Sequence, residues 1–279
     1  MKKKLIFVFI LFFSSFGIIR SADAYNAWRN FHWARTSNPF TLTVGDNVSS
    51  GWDSYLKTAA LDWTQSKVLD IALAFGKTNN TLGYYTPRFC KATKGRVEVC
   101  SHKYGSTGWL GVASVWTSSG GHITAGTVKM NDSYFSQSKY NTPEWKNLVM
   151  CQEIGHTLGL AHQDENISNA NLGSCMDYTS RPATNQHPNA MDYSTLEYLY
   201  KHLDSANSYA KATTRVVSAQ SLEDSNNPRD WGREIFRSEN RRTSLFEKKL
   251  GDGGIVFRHV FWVEPQNDGQ REQDHKFRG

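Results

Sequence analysis

The stretch CQEIGHTLGLAHQDE, residues 151–165, gathers residue types that can do metal chemistry. Gln152 and His156 stand four apart, Glu153 follows Gln152, and Gly159 and His162 come three and six residues after His156. Helix positions i and i+4 lie one turn apart on the same face, so side chains at 152 and 156 can meet at one point. Two imidazoles at that spacing hold a zinc ion, which is why H-E-x-x-H is a zinc motif. A carboxylate at 153 points to the flank, where it can take a proton from a water as general base. Gly159 permits the left-handed turn that ends a helix and returns the chain, so that His162 offers a further nitrogen.

Gln152 departs from the motif, because an amide oxygen is a poorer zinc ligand than imidazole. Three arrangements are open. Gln152 ligates with reduced affinity; another group, Asp164, Glu165, His102 or His122, completes the site; or the metal is lost. Retention is favoured physically, since without metal Glu153, His156 and His162 are buried polar groups in need of new partners. Asp164 and Glu165, just past His162, are placed either to accept hydrogen bonds from ligand imidazoles or to form a solvated turn.

The element that must carry these residues is signalled clearly. Thr142 can N-cap a helix, Pro143 suits its first position and Glu144 its positive end. From there Trp145, Leu148, Val149, Gln152 and His156 share one face, and Met150, Ile154 and Leu158 make the other side apolar. Upstream, FTLTV reads as a strand and GWDSYLKTAALDWTQS as an amphipathic helix. VLDIALAF, GRVEVCSH, LGVASVWTS and HITAGTVKMN read as strands, the last two joined at SGG as a hairpin. The expected class is α+β.

Residues 152–162 resemble the H-E-x-x-H-x-x-G-x-x-H signature of the metzincin metalloproteases, with Gln in place of the first ligand His. SCMDY is similar to their methionine turn, with Met176 fourteen residues after His162, and Tyr178 resembles the tyrosine held beside the zinc in astacin-like members. The likeness covers roughly residues 40–205. It implies a metzincin-like zincin fold of matrixin/astacin-like type, a mixed twisted sheet with an active-site helix and a Met-turn. It implies Zn2+ held by Gln152, His156 and His162, and endopeptidase activity on protein or peptide substrates. Glu153 would then be the general base toward a zinc-activated water, Tyr178 a hydrogen-bond donor to the oxyanion, and Met176 a floor under the metal. GHITAGTVKMND resembles the family's edge strand, which takes substrate by strand addition. The rival reading is a catalytically inactive, protease-like peptide-binding module.

Residues 1–24 read as a signal peptide, with Lys2 to Lys4, an apolar run and ADA at the cleavage point, which implies a secreted protein without a membrane anchor. Removing them lowers the formal charge from +6 to +3. That charge gives no basic stripe for nucleic acid, and a monomer is expected. Four cysteines in an exported chain favour disulfides. Of three possible pairings, Cys90–Cys100 with Cys151–Cys175 is preferred. The catalytic domain is expected over 25–210. From 211 to 279 a polar linker leads to a β-hairpin appendage turning at GDGG and to a disordered tail.

Overall fold

The structure, a computed structural model, describes residues 26–76, 89–209, 221–222 and 224–264. The expected signal peptide and the tail from 265 lie outside them. Among the described residues no helix is long and apolar enough to cross a membrane.

One twisted sheet organises the chain. A short strand β1 (His32–Trp33) precedes β2 (Phe40–Asn47), α1 (Asp53–Trp63) and β3 (Leu69–Phe75), and β3 pairs parallel to β2. After β4 (Ala92–Thr93) come β5 (Val97–His102), β6 (Trp109–Thr117) and β7 (His122–Asn131). β5 is parallel to β2 and to β7, whereas β6 and β7 form the expected antiparallel hairpin. A single-turn helix α2 (Asp132–Phe135) leads to α3 (Pro143–Thr157), and α4 (Ala190–Leu199) follows later. The two-residue β8 (Ser221–Leu222) pairs with β4. Last come β9 (Arg233–Arg237), β10 (Thr243–Lys249) and β11 (Ile255–Trp262).

The expected C-terminal hairpin is β10–β11, closed by the Leu250 N–H to Gly254 carbonyl bond of 2.8 Å. It continues the main sheet. β11 runs antiparallel along β6 from Ile255↔Thr117 to Trp262↔Trp109, giving the order β3-β2-β5-β7-β6-β11-β10-β9. The expectation that residues 122–131 form an edge strand therefore fails, since β7 lies between β5 and β6. The reason lies in β6. All nine of its residues are buried, so its outer side needs a partner to satisfy the backbone groups there. β11 is that partner.

The polar run before β9 also packs. Asp224 is buried between Lys129 Nζ at 2.8 Å and Arg258 Nε at 3.3 Å, and it accepts bonds from Thr127 and Ser114. This buried ionic cluster ties β6, β7 and β11 together on one face of the sheet. Trp231 is fully buried nearby, against Phe246.

α3 lies on the opposite face. Thr142 Oγ1 accepts from Trp145 N–H at 3.4 Å and Pro143 opens the first turn, as the sequence predicts. Its middle is buried all round. Trp63 Nε1 donates to the Cys151 carbonyl at 3.1 Å, and Trp33 Nε1 to the Thr157 carbonyl at 2.9 Å, fixing the helix between α1 and β1. Both preferred disulfides form, Cys90–Cys100 and Cys151–Cys175. The second joins α3 to the turn containing Met176, which packs close to Gly155.

Candidate metal centre

The last two turns of α3 present Gln152, Glu153 and His156, each about 1% exposed. The helix stops at Leu158, and Gly159 takes φ +98°, a left-handed backbone value that glycine tolerates. A Cβ there would collide with the Phe31 carbonyl oxygen. The bend that follows brings His162 back beneath the helix end, with its Nε2 3.1 Å from Nε2 of His156.

The outer partners of these rings fix their orientation. His156 Nδ1 lies 2.9 Å from the Leu160 carbonyl oxygen, and His162 Nδ1 lies 2.8 Å from Glu165 Oε1. Both partners are oxygens that accept, so each Nδ1 carries a hydrogen, and a neutral ring then presents a bare lone pair at Nε2. At 3.1 Å the two Nε2 atoms can share one cation, either a proton or a metal ion. Two nitrogens bound at ~2.0–2.1 Å to one tetrahedral zinc would stand about 3.3 Å apart. The pair thus fits a divalent metal, and Glu165 holds the His162 ring in place through its Nδ1.

A third histidine completes the group. His259, on β11, has its ring nitrogens close enough that one atom from each of His156, His162 and His259 lies within 4.8 Å of the others. Its ring stacks on His156 with centroids 3.7 Å apart, and Trp28 stacks on its other side. Neither nitrogen of His259 has a hydrogen-bond partner, although the residue is buried.

Burial dominates the electrostatics. It pushes the Glu153 carboxyl well above its usual range, partly opposed by a hydrogen bond from the Ala113 backbone. Burial, then the neighbouring imidazoles, hold His156 and His259 well below the usual imidazole value, as neutral rings suited to ligation. Glu153 Oε2 has no partner. Burial also raises the Tyr178 hydroxyl, which lines the same pocket beside Thr243 and Phe261. Side chains of β10 and β11 close this pocket, leaving no room for a water molecule.

The other expected residues fall as follows. Gln152 lines the pocket and donates Nε2–H to the Cys175 carbonyl at 2.8 Å. Asp164 turns to the backbone of Asn166, and His102 packs on Tyr104. His122 joins a separate group with His32, His202 and Asp204, where Arg35 already pairs the carboxylate at 3.0 Å.

Residues 79–228, more than half of the 279-residue chain, match the family model described as metallo-peptidase family M12B, reprolysin-like. The chain belongs to this family. The reprolysin-like chain is thus a metzincin-type metalloprotease by descent, and its α+β architecture, with a twisted mixed sheet and few helices, is the metzincin-like zincin fold. A comparison with curated proteins gives no match. Among solved structures, the chain is similar to high choriolytic enzyme 1, a hatching enzyme zinc-protease from Oryzias latipes (medaka fish), at 11% identity and a TM-score of 0.33. That likeness spans 63% of this chain and 99% of the other.

The family match ends before β9, so His259 lies outside it. Sequence reasoning missed this histidine. The available signal was FRHVF, a histidine alternating with two phenylalanines on one strand face, which places an imidazole among apolar side chains.

Proposed function

We propose that the chain is a secreted zinc endopeptidase whose centre is built on His156 and His162, with Glu153 as general base. The observation that carries this reading is the pair of Nε2 atoms 3.1 Å apart, His156 from α3 and His162 from the bend after it, in the pocket that Glu153 also lines. A bound zinc would supply Lewis acidity toward a peptide carbonyl. The positive charge of a bound metal would favour the ionised form of Glu153 that burial disfavours, and the carboxylate would then take the proton of the attacking water and pass it to the leaving amine. The Tyr178 hydroxyl is placed to donate to the negative charge developing on the carbonyl oxygen. The leader-like sequence of residues 1–24, two disulfides and a mild net charge suit an exported monomer acting on protein or peptide substrates rather than nucleic acid.

A second reading is favoured by the closed pocket and by Gln152, whose amide serves the Cys175 carbonyl. It is a metal-holding, protease-like scaffold that cuts nothing. Hydrolysis of casein by the full-length exported protein, with zinc content measured on the same sample, separates the two. Chelator-sensitive cleavage that disappears in Glu153→Gln supports the peptidase. Stoichiometric zinc without cleavage supports the scaffold, and cleavage that survives Glu153→Gln removes the assigned mechanism.

A further inference from the structure

We infer that His259, delivered by the C-terminal strand β11, is the third nitrogen ligand of the metal centre, standing in for the histidine that position 152 lacks. The inference rests on the zinc reading of His156 and His162 given above.

The backbone fixes where His259 sits. It lies opposite Ala113 of β6 in the antiparallel register and opposite Leu245 of β10. Ala113 is the residue whose N–H binds Glu153, so the register that seats β11 on β6 sets the imidazole across from the general base. Phe257 and Phe261, two residues away on either side, share its strand face, and Phe257 packs on Phe31 while Phe261 packs on Tyr178. Trp28 and His156 then hold the ring between them.

An ordinary buried histidine satisfies its nitrogens. A neutral imidazole has one donor and one acceptor, and leaving a buried polar group unpaired is destabilising. His259 leaves both unpaired. Stacking alone would be served as well by phenylalanine, the residue at both neighbouring positions of that face. A metal ligand is the role that needs imidazole here, and ring nitrogens of His156 and His162 already converge beside it.

Gln152 is positioned for another task. Its amide nitrogen holds the Cys175 carbonyl at 2.8 Å, which ties α3 to the Met176 turn. The three-histidine donor set familiar for zinc is thereby reassembled from two regions of the chain, His156 and His162 from the helix and its bend, His259 from the last strand.

The test measures zinc affinity of the full-length protein by competition with a chromophoric chelator, together with the visible spectrum of the Co2+ form. The variants are His259→Phe, which keeps the aromatic stack without a donor, His259→Ala and Gln152→Ala. Removing one of three protein ligands should weaken zinc by more than about 100-fold, beyond the loss of an outer-shell partner. The expected result is one zinc per wild-type chain, that loss in His259→Phe with an altered Co2+ spectrum, and near-wild-type affinity in Gln152→Ala. Circular dichroism of each chelator-treated variant controls for folding. Wild-type affinity in a folded His259→Phe protein overturns the inference and leaves the zinc reading standing. Loss of zinc in Gln152→Ala with retention in His259→Phe overturns it in favour of the amide. A folded wild-type protein that takes up no zinc removes both.

Discussion

Gln152 donates its side-chain amide to the Cys175 carbonyl oxygen at 2.8 Å, one residue along α3 from Cys151, which is disulfide-bonded to the same cysteine. The residue that departs from the zinc motif is thus part of the joint between the helix and the Met176 turn. Gln152→Ala removes the donor and leaves a buried carbonyl without it, so unfolding free energy should fall by about 1–3 kcal/mol. Urea denaturation of both proteins under non-reducing conditions measures this, and an unchanged midpoint would show that the bond contributes nothing.

Glu153→Gln keeps the shape of the side chain and removes its basicity. If the peptidase reading holds, kcat/KM on a fluorogenic peptide should drop by roughly 10²–10⁴-fold. Stability should not fall, because burial already disfavours the ionised carboxylate in the folded protein. A thermal melt beside the kinetic assay checks both halves.

Asp224 is the anion between Lys129 and Arg258, all three buried. Removing one member strands uncompensated charge, so Asp224→Ala should destabilise the protein by about 3–5 kcal/mol. Because Arg258 adjoins His259 on β11, limited proteolysis should also cut the C-terminal strands of the variant sooner. Equal proteolysis rates would mean that the cluster does not secure β11.

Asp192, the third residue of α4, completes the capping box with Asn189 and receives hydrogen bonds from Ser174 Oγ, Gln163 Nε2 and the Asn189 backbone, which braces the turn under the helix. Burial raises its pKa above the ordinary carboxylate value despite these bonds. Between the unfolded value of about 3.9 and the higher folded one, the folded state binds more protons than the unfolded state. The contribution of Asp192 to stability is therefore full below about pH 4 and is lost as pH rises through its folded pKa. Wild type should lose stability relative to Asp192→Asn across that window, as chemical denaturation at a series of pH values would reveal. A gap that widens in favour of wild type with rising pH would reverse the assigned shift.

Local signals were easy to read in this chain. Thr142 and Pro143 start α3, Gly159 ends it with a positive φ, and the GDGG turn closes β10 onto β11, each a consequence of a few adjacent residues. What depended on distant partners was not legible. The likeness of residues 122–131 to an edge strand could not reveal that β6 lies outside β7, nor that β11 then covers β6. The polar composition before β9 hid Asp224 and Trp231, which are buried because Lys129, Arg258 and Phe246 arrive from other strands. His259 belongs to the same class. Spacing along the helix and its bend announces His156 and His162, but a histidine arriving from a separate strand is set by sheet register and leaves no spacing to count.

β11 is hydrogen-bonded to β6 on one side and to β10 on the other. The wall over Glu153 is therefore stitched in twice and cannot swing like a flap. Baring that carboxylate to solvent requires unzipping a run of inter-strand amides, a sub-global melting event whose frequency falls exponentially with the strength of the seam. Deuterium uptake at Val256–Val260 would follow the same opening, making the exchange rate of one strand a clock for entry to the centre.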